Sequence, residues 1–405
     1  MRRVAGRGAR LRGAWRVARG AGSGMRAAFN IFDLAAAVQW CYAVSGQGRS
    51  IFWRADRRRS GRVRRADSCH SSNPNPLVYQ LTETNWIWRD GEFIRWADAQ
   101  IHVLSHSVQF GSSVFEGVRC YKTPRGPAIF RLQDHLQRMI DSAKIYRMDL
   151  AYSLDELVAA CCELVERNEL DACYLRPMIV RGYGAAGMVP FASPVQIYLP
   201  CWPWGAYLGE GALENGVEAC VASWNRVAPN TIPAMAKIAG NYLGGQLIKM
   251  EALAKGFSEA IALGTDGMLS EGSGQNLFLV RKGTLYTPPI DGTLLPGITR
   301  ETVLTLAAES GIPIREEPLP REMLYVADEV FLSGTASEIT PIRSVDKITV
   351  GAGKPGPVTK ELQRVFLATV RGEAPDPHGW LTYVRAERAS ARSVGKKAPA
   401  AQAGD

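Results

Sequence analysis

The chain has 405 residues, a formal net charge of +9 and a hydrophobic fraction of 46%, which suits a soluble globular protein of two or three domains. Residues 1–66 carry sixteen arginines, no lysine and only Asp33 and Asp56 as acids, so the rest of the chain is net −5 and nucleic acid is not expected as a partner of the body. Eight cysteines without a Cys-x-x-Cys pair, five histidines without ligand-like spacing and no run of ~18 apolar residues argue against a disulfide framework, a metal centre and a membrane span, and lead us to expect a cytoplasmic protein.

In chain order, residues 1–81 read as a disordered Arg-rich extension; a transit peptide, or sequence upstream of a start such as Met25, would have the same composition. Asn85–Trp96 predicts a hairpin turning at Asp90-Gly91. Val114–Tyr121 and Ala128–Phe130 read as strands. Residues 131–147 predict a helix with Leu132, Leu136, Met139 and Ile140 on one face. Ser153-x-x-Glu156 is a capping-box signature opening a second helix. Cys173–Val180 and Val195–Pro200 complete a small α+β domain, 82–202. A connector, 203–211, leads to a larger domain, 212–384. That domain is predicted to hold strands at Val217–Ser223, Glu259–Gly264, Asn276–Arg281, Thr284–Thr287 and Glu329–Ser333. Its helices are expected at Tyr242–Lys255, Thr299–Ser310 and Val358–Val370. Residues 385–405 read as a disordered tail.

Four features of the larger domain carry candidate chemistry. Lys237 lies between Met235 and Ile238 at a loop-to-helix junction, where apolar surroundings favour the uncharged amine that a carbonyl cofactor needs; alone, it could be a surface lysine. Glu271 precedes Gly272 and Gly274 between two strands, where backbone can approach a ligand, or is a plain turn acid. Gly297, Ile298 and Thr299 open a predicted helix whose free N–H groups suit a phosphate, or Thr299 is an ordinary cap. Ser333-Gly-Thr335-Ala336 is a strand-to-loop turn with a hydroxyl and free amides, or merely a turn. Together they match the needs of pyridoxal phosphate: an amine for the aldehyde, an acid for the ring nitrogen and a cradle for the phosphate.

The motifs Phe115-Glu-Gly-Val-Arg119-Cys-Tyr, Phe130 to Arg138, Tyr174-Leu-Arg176-Pro, Pro203 to Gly209, Ala228 to Tyr242, Ser270 to Phe278, Leu295 to Arg300 and Ser333 to Pro341 lie in one order over about 300 residues. From Trp86 to Trp380 the chain resembles the class IV, fold-type IV pyridoxal-phosphate aminotransferases, and within them the bacterial branched-chain enzymes. The resemblance implies a mixed fold: a small α+β domain and a larger barrel-like domain with helices. It implies transfer of the amino group of L-leucine, L-isoleucine or L-valine to 2-oxoglutarate by a homodimer or hexamer.

It also implies roles. Lys237 would bond to the cofactor aldehyde and move the substrate proton. Tyr242 would face the ring hydroxyl and Glu271 the ring nitrogen. Arg138, Gly297, Ile298, Thr299 and Thr335 would hold the phosphate. Phe115, Tyr174, Trp204 and Tyr207 would line the side-chain pocket, or be plain core aromatics. Arg176 would meet the distal carboxylate of glutamate, or form a structural ion pair. The Thr335 and Ala336 amides would hold the α-carboxylate. Phe110 stands where the family usually has Tyr, and Met188 lies in an atypical loop, 182–190; both are expected to shift substrate ranking. Rivals of the same fold are D-amino-acid aminotransferases and aminodeoxychorismate lyases. Arg119 and Arg176 favour the branched-chain reading.

Overall fold

The structure, a computed structural model, describes residues 81–205, 208–209 and 211–385. Nearly all of the expected extension and tail, and Tyr207, lie outside them. The described residues fall in one compact unit, Ser71–Asp405.

The first half of this unit runs β1 (Trp86–Arg89), β2 (Glu92–Arg95), α1 (His106–Phe110), β3 (Val114–Phe115), β4 (Val118–Thr123), β5 (Gly126–Phe130), α2 (Leu132–Ile145), α3 (Leu154–Arg167), β6 (Cys173–Leu175), β7 (Met178–Arg181), β8 (Val195–Leu199) and β9 (Cys201–Trp202). These strands form two sheets, ordered β2-β1-β8-β7-β3 and, with β19 (Leu381–Tyr383) from the end of the chain, β19-β5-β4-β6-β9. Two expected single strands are each broken in two. Val114–Tyr121 breaks at Glu116-Gly117 and Cys173–Val180 breaks at Arg176-Pro177. On one side of the breaks β3 pairs with β7; on the other β4 pairs with β6. Both strands thus leave one sheet and enter the other together. Pro177 has no N–H for a ladder, and its carbonyl instead accepts from Glu116 N–H at 2.8 Å. Gly117 permits the crossing, because a Cβ there would sit 1.7 Å from Tyr174 Oη.

The second half runs α4 (Ala212–Asn215), β10 (Val217–Val221), α5 (Tyr242–Ala254), β11 (Glu259–Leu263), β12 (Leu269–Gly272), β13 (Asn276–Arg281), β14 (Thr284–Thr287), α6 (Ile298–Glu309), β15 (Ile314–Glu316), α7 (Met323–Val326), β16 (Glu329–Gly334), β17 (Glu338–Val345), β18 (Ile348–Thr349) and α8 (Pro357–Val370). Its sheet follows the order β12-β11-β10-β17-β16-β13, and a further pairing of β12 with β13 closes these six strands into a ring. Glu271, expected between two strands, is instead on β12 and pairs with Asn276 of β13 at that closure. β17 was not expected at all.

Of the expected α2 face, Leu132, Leu136 and Met139 are wholly inaccessible and Ile140 is partly buried; with Ala143 they pack with Leu157, Cys161 and Leu164 of α3. The capping box on α3 is present, with Ser153 Oγ accepting from Glu156 N–H and Glu156 Oε2 accepting from Ser153 N–H. Leu277, Leu279, Leu332 and Val345 belong to a core built from the strands of the ring. Phe130 of β5 packs with Phe366 of α8 and Trp380 near β19, which anchors α2 beside the ring. Because Leu136 is fully enclosed in the core of the first half, Leu136→Ala is expected to lower stability by about 2–5 kcal/mol, read as a lower urea midpoint with an unchanged slope.

Candidate active site

One cavity of about 510 Å³ brings together residues from both halves. Lys237 enters it on a loop segment that meets β3 through an isolated bridge between Ile238 and Val114. Phe115 N–H donates to Lys237 O at 3.0 Å, Ala239 N–H to Ser113 O at 2.8 Å and Gly240 N–H to Gly111 O at 3.1 Å. Lys237 N–H donates to Ser142 Oγ of α2 at 3.0 Å. Ala236 and Ile238 are buried, and Lys237 faces the cavity. Lys237 lies at the end of a loop that leads through a short 3-10 turn at Ala239–Asn241 into α5, as expected. One expectation changes here. Met235 is 54% exposed and forms no apolar wall; Phe115 does, its ring centre lying 5.1 Å from Lys237 Nζ. The amine donates to Tyr242 Oη at 2.6 Å, and Tyr242 opens α5.

Glu271 faces the same cavity from β12. Its Oε1 lies 2.7 Å from Arg226 Nη2, and its Oε2 accepts from Asn276 Nδ2 at 3.2 Å and Leu295 N–H at 3.3 Å. Burial pushes the Glu271 carboxyl above its usual range, and Arg226, the Leu295 amide and Lys237 pull it back.

A third wall is the start of α6. Gly297 is its extended N-cap, with φ −73° and ψ 132°, and no side chain caps the first turn. Thr299 is therefore inside the helix and not its cap. The open N–H groups at Ile298 and Thr299 are those that suit an anion. Gly297 is required: a Cβ there would lie 1.9 Å from Asn276 Oδ1. Arg138 borders this wall, donating from Nη1 to Pro296 O at 2.9 Å. Its Nε and Nη2 donate to Glu116 at 2.7 and 2.9 Å, so two of its five N–H groups stay available.

Thr335 and Ala336 line the cavity from the β16–β17 turn. At the apolar end Tyr174 stacks on Trp204 with ring centres 4.7 Å apart, and Arg176 lies between the faces of Phe115 and Tyr174. Arg176 Nε, Ser333 Oγ and Ser337 Oγ are buried without a hydrogen-bond partner among the described residues. Tyr207 is outside those residues. Phe110 and Met188 are 41% and 78% exposed, and neither lines the cavity of this chain.

Arg226, Glu116 and His135 escaped the sequence reading. Arg226 sits in an irregular stretch with no local pattern. His135 and Arg138 had a signal: three residues apart on one helix, both turn toward Glu116. Glu116 is fully buried, and although burial opposes its charge, Arg138 and His135 hold its carboxyl far below the ordinary value. Stability from such a group is present above the unfolded value of 4.5 and is lost as pH falls towards the folded one. Urea midpoints of the wild type are therefore expected to fall below pH 4.5, and those of Glu116→Gln to fall less steeply over the same range.

The Amino-transferase class IV family model matches residues 113–345, which include Lys237, Glu271, the α6 N-terminus and the Thr335 turn. The chain belongs to the class IV aminotransferases. It is 51% identical over 303 residues to the branched-chain-amino-acid aminotransferase of Escherichia coli strain K12, covering 75% of this chain and 98% of that one. A crystal structure of the Escherichia coli enzyme superposes with a TM-score of 0.74 at 51% identity, over 75% of this chain and all of that one. The branched-chain amino acid aminotransferase of Thermobaculum terrenum, solved in its PLP-form, has a TM-score of 0.70 at 33% identity, over 75% of this chain and 99% of that one.

Proposed function

We propose that this protein is a branched-chain amino acid aminotransferase, reversibly moving the amino group of L-leucine, L-isoleucine or L-valine to 2-oxoglutarate with pyridoxal phosphate. The observation that carries the reading is the Lys237 amine, 2.6 Å from the Tyr242 hydroxyl, in one cavity with the buried Glu271 carboxylate and an uncapped helix N-terminus. The likeness to the branched-chain enzymes over three quarters of the chain supports the substrate class.

The residues fit the cofactor. The α6 N-terminus, the Thr299 and Thr335 hydroxyls and the spare Arg138 N–H groups form a donor set for phosphate. Glu271 is an acceptor for a protonated ring nitrogen, and Tyr242 a neighbour for the ring hydroxyl. When bound, pyridoxal phosphate supplies an electrophilic aldehyde, an electron-withdrawing ring and a place to hold the amino group between half-reactions. Lys237 would hold it through its amine and, when free, would carry the proton from the substrate Cα to the cofactor carbon that bears the nitrogen. Arg226 holds Glu271 ionised and oriented. The Thr335 and Ala336 amides receive the α-carboxylate. Phe115, Tyr174 and Trp204 give the branched side chain an apolar surface, and we assign Tyr207 the same role. Arg176, whose Nε is otherwise unused, meets the distal carboxylate of 2-oxoglutarate.

Residues 82–202 and 212–384 act as the small and large domains of this enzyme. The exposed Val103, Met188, Val189 and Phe191, each at least 66% accessible, support association with further copies, as a homodimer or hexamer. No helix among the described residues is long and apolar enough to cross a membrane, and we assign the enzyme to the cytoplasm.

An apolar pocket separates substrates differing by one methylene by only about 1–3 kcal/mol. Leucine, isoleucine and valine are therefore all expected to react, with kcat/KM values within about 200-fold of one another. Glutamate formation from 2-oxoglutarate checks this. Lys237→Ala is expected to abolish turnover, and turnover of D-alanine with none of L-leucine would refute the assignment.

A further inference from the structure

His135 occupies a position that the mechanism above leaves unused. It lies on α2, 1% exposed, with Nδ1 2.8 Å from Glu116 Oε2 and Nε2 3.4 Å from Thr335 Oγ. It therefore connects a buried carboxylate to a hydroxyl of the phosphate cradle. We propose that His135 takes up a proton when the cofactor phosphate enters the cradle, and that this proton frees the Thr335 hydroxyl to donate to the phosphate. The proposal rests on the cofactor assigned above.

The hydrogens around the ring can be counted. Glu116 accepts from Arg138 twice, from Gly117 N–H and from His135. Held ionised by Arg138, it can only accept, so His135 Nδ1 carries a hydrogen. The charged groups facing the ring are Glu116 from the β3–β4 link, Arg138 from α2 itself and Lys237 from the segment before α5. Burial lowers the tendency of His135 to protonate, Glu116 opposes this, and Arg138 and Lys237 add to it. In the free protein the ring is then neutral with Nε2 bare. A bare Nε2 takes the hydrogen of the Thr335 hydroxyl, which turns only lone pairs toward the cavity.

A phosphate also only accepts. If Thr335 rotated its hydrogen toward it, Oγ and Nε2 would face each other as two acceptors in a buried site. Protonating Nε2 removes the conflict: Nε2–H donates to Thr335 Oγ, and Thr335 O–H donates onward. The proton comes from solvent, the only new bond is N–H, and His135 passes from neutral to +1. The arriving negative charge offsets Arg138 and Lys237, which opposed that charge before. Binding therefore raises the value at which His135 titrates, so between its free and bound values affinity falls about tenfold per pH unit from this group alone. Outside that interval the slope from this group is zero.

The test uses full-length apoprotein titrated with pyridoxal phosphate at about pH 8, above the ordinary histidine range. Nitrogen-15 NMR of labelled histidine reads the ring directly: Nε2 is expected to be unprotonated in the apoprotein and protonated in the holoenzyme. Calorimetry in buffers of different ionisation enthalpy is expected to count one proton more for the wild type than for His135→Gln or His135→Asn. Gln offers an untitrating donor at the Nε2 position, and Asn keeps the donor to Glu116. A saturable cofactor absorbance band with Nε2 in the same state throughout, or equal proton counts in wild type and variants, overturns this proposal alone. Absence of any saturable band overturns the cofactor reading and this proposal with it.

Discussion

The cavity depends on backbone hydrogen bonds between residues 237–240 and 111–115. The bonds at Phe115, Ser113 and Gly111, with the Lys237 N–H on Ser142 Oγ, tie the lysine to the first half of the chain. The Tyr242 hydroxyl ties its amine to α5 of the second. Both the N–H and the carbonyl of Lys237 are bonded, so the origin of its side chain is fixed although it lies in a loop, as a reacting amine requires.

Around that segment the charges are buried in compensated sets. Glu116 is matched by Arg138 and His135, and Glu271 by Arg226, Asn276 and the Leu295 amide. Removing one partner of such a set typically costs about 3–5 kcal/mol, because the remaining charge stays buried. The sets thus restrain the very side chains that face a ligand. The uncompensated groups are also informative. Arg176 Nε, Ser333 Oγ and Ser337 Oγ are buried and unpaired among the described residues, and all three residues line the cavity. Buried polar atoms normally find partners, so this wall is built for a polar ligand.

Features encoded over a few residues were legible in the sequence. The Asp90-Gly91 hairpin, the Leu132–Leu136–Met139 face, the Ser153–Glu156 capping box and the Gly297-Ile298-Thr299 start of α6 each have a local physical cause, and each is present. Features set by distant pairing were not. The double crossing at Glu116-Gly117 and Arg176-Pro177 needs two strands to change sheets at one level, which neither announces alone. β17 contains Pro341 opposite Phe331, and a proline argues against a strand when read locally. Glu271 reads as lying between two strands because its pairing with Asn276 closes the ring over only a few residues. The roles of Lys237, Glu271 and Thr299 became readable only as a set and by family resemblance. Arg226 and Glu116 act through contacts that no spacing reveals.

Every role assigned to the cavity requires the Lys237 amine to be the group that meets the cofactor aldehyde. Borohydride reduction of the holoenzyme, followed by digestion and mass mapping, fixes that bond where it forms. The expected result is a single pyridoxyl adduct, on Lys237. An adduct on another lysine, with Lys237 recovered unmodified, would contradict it.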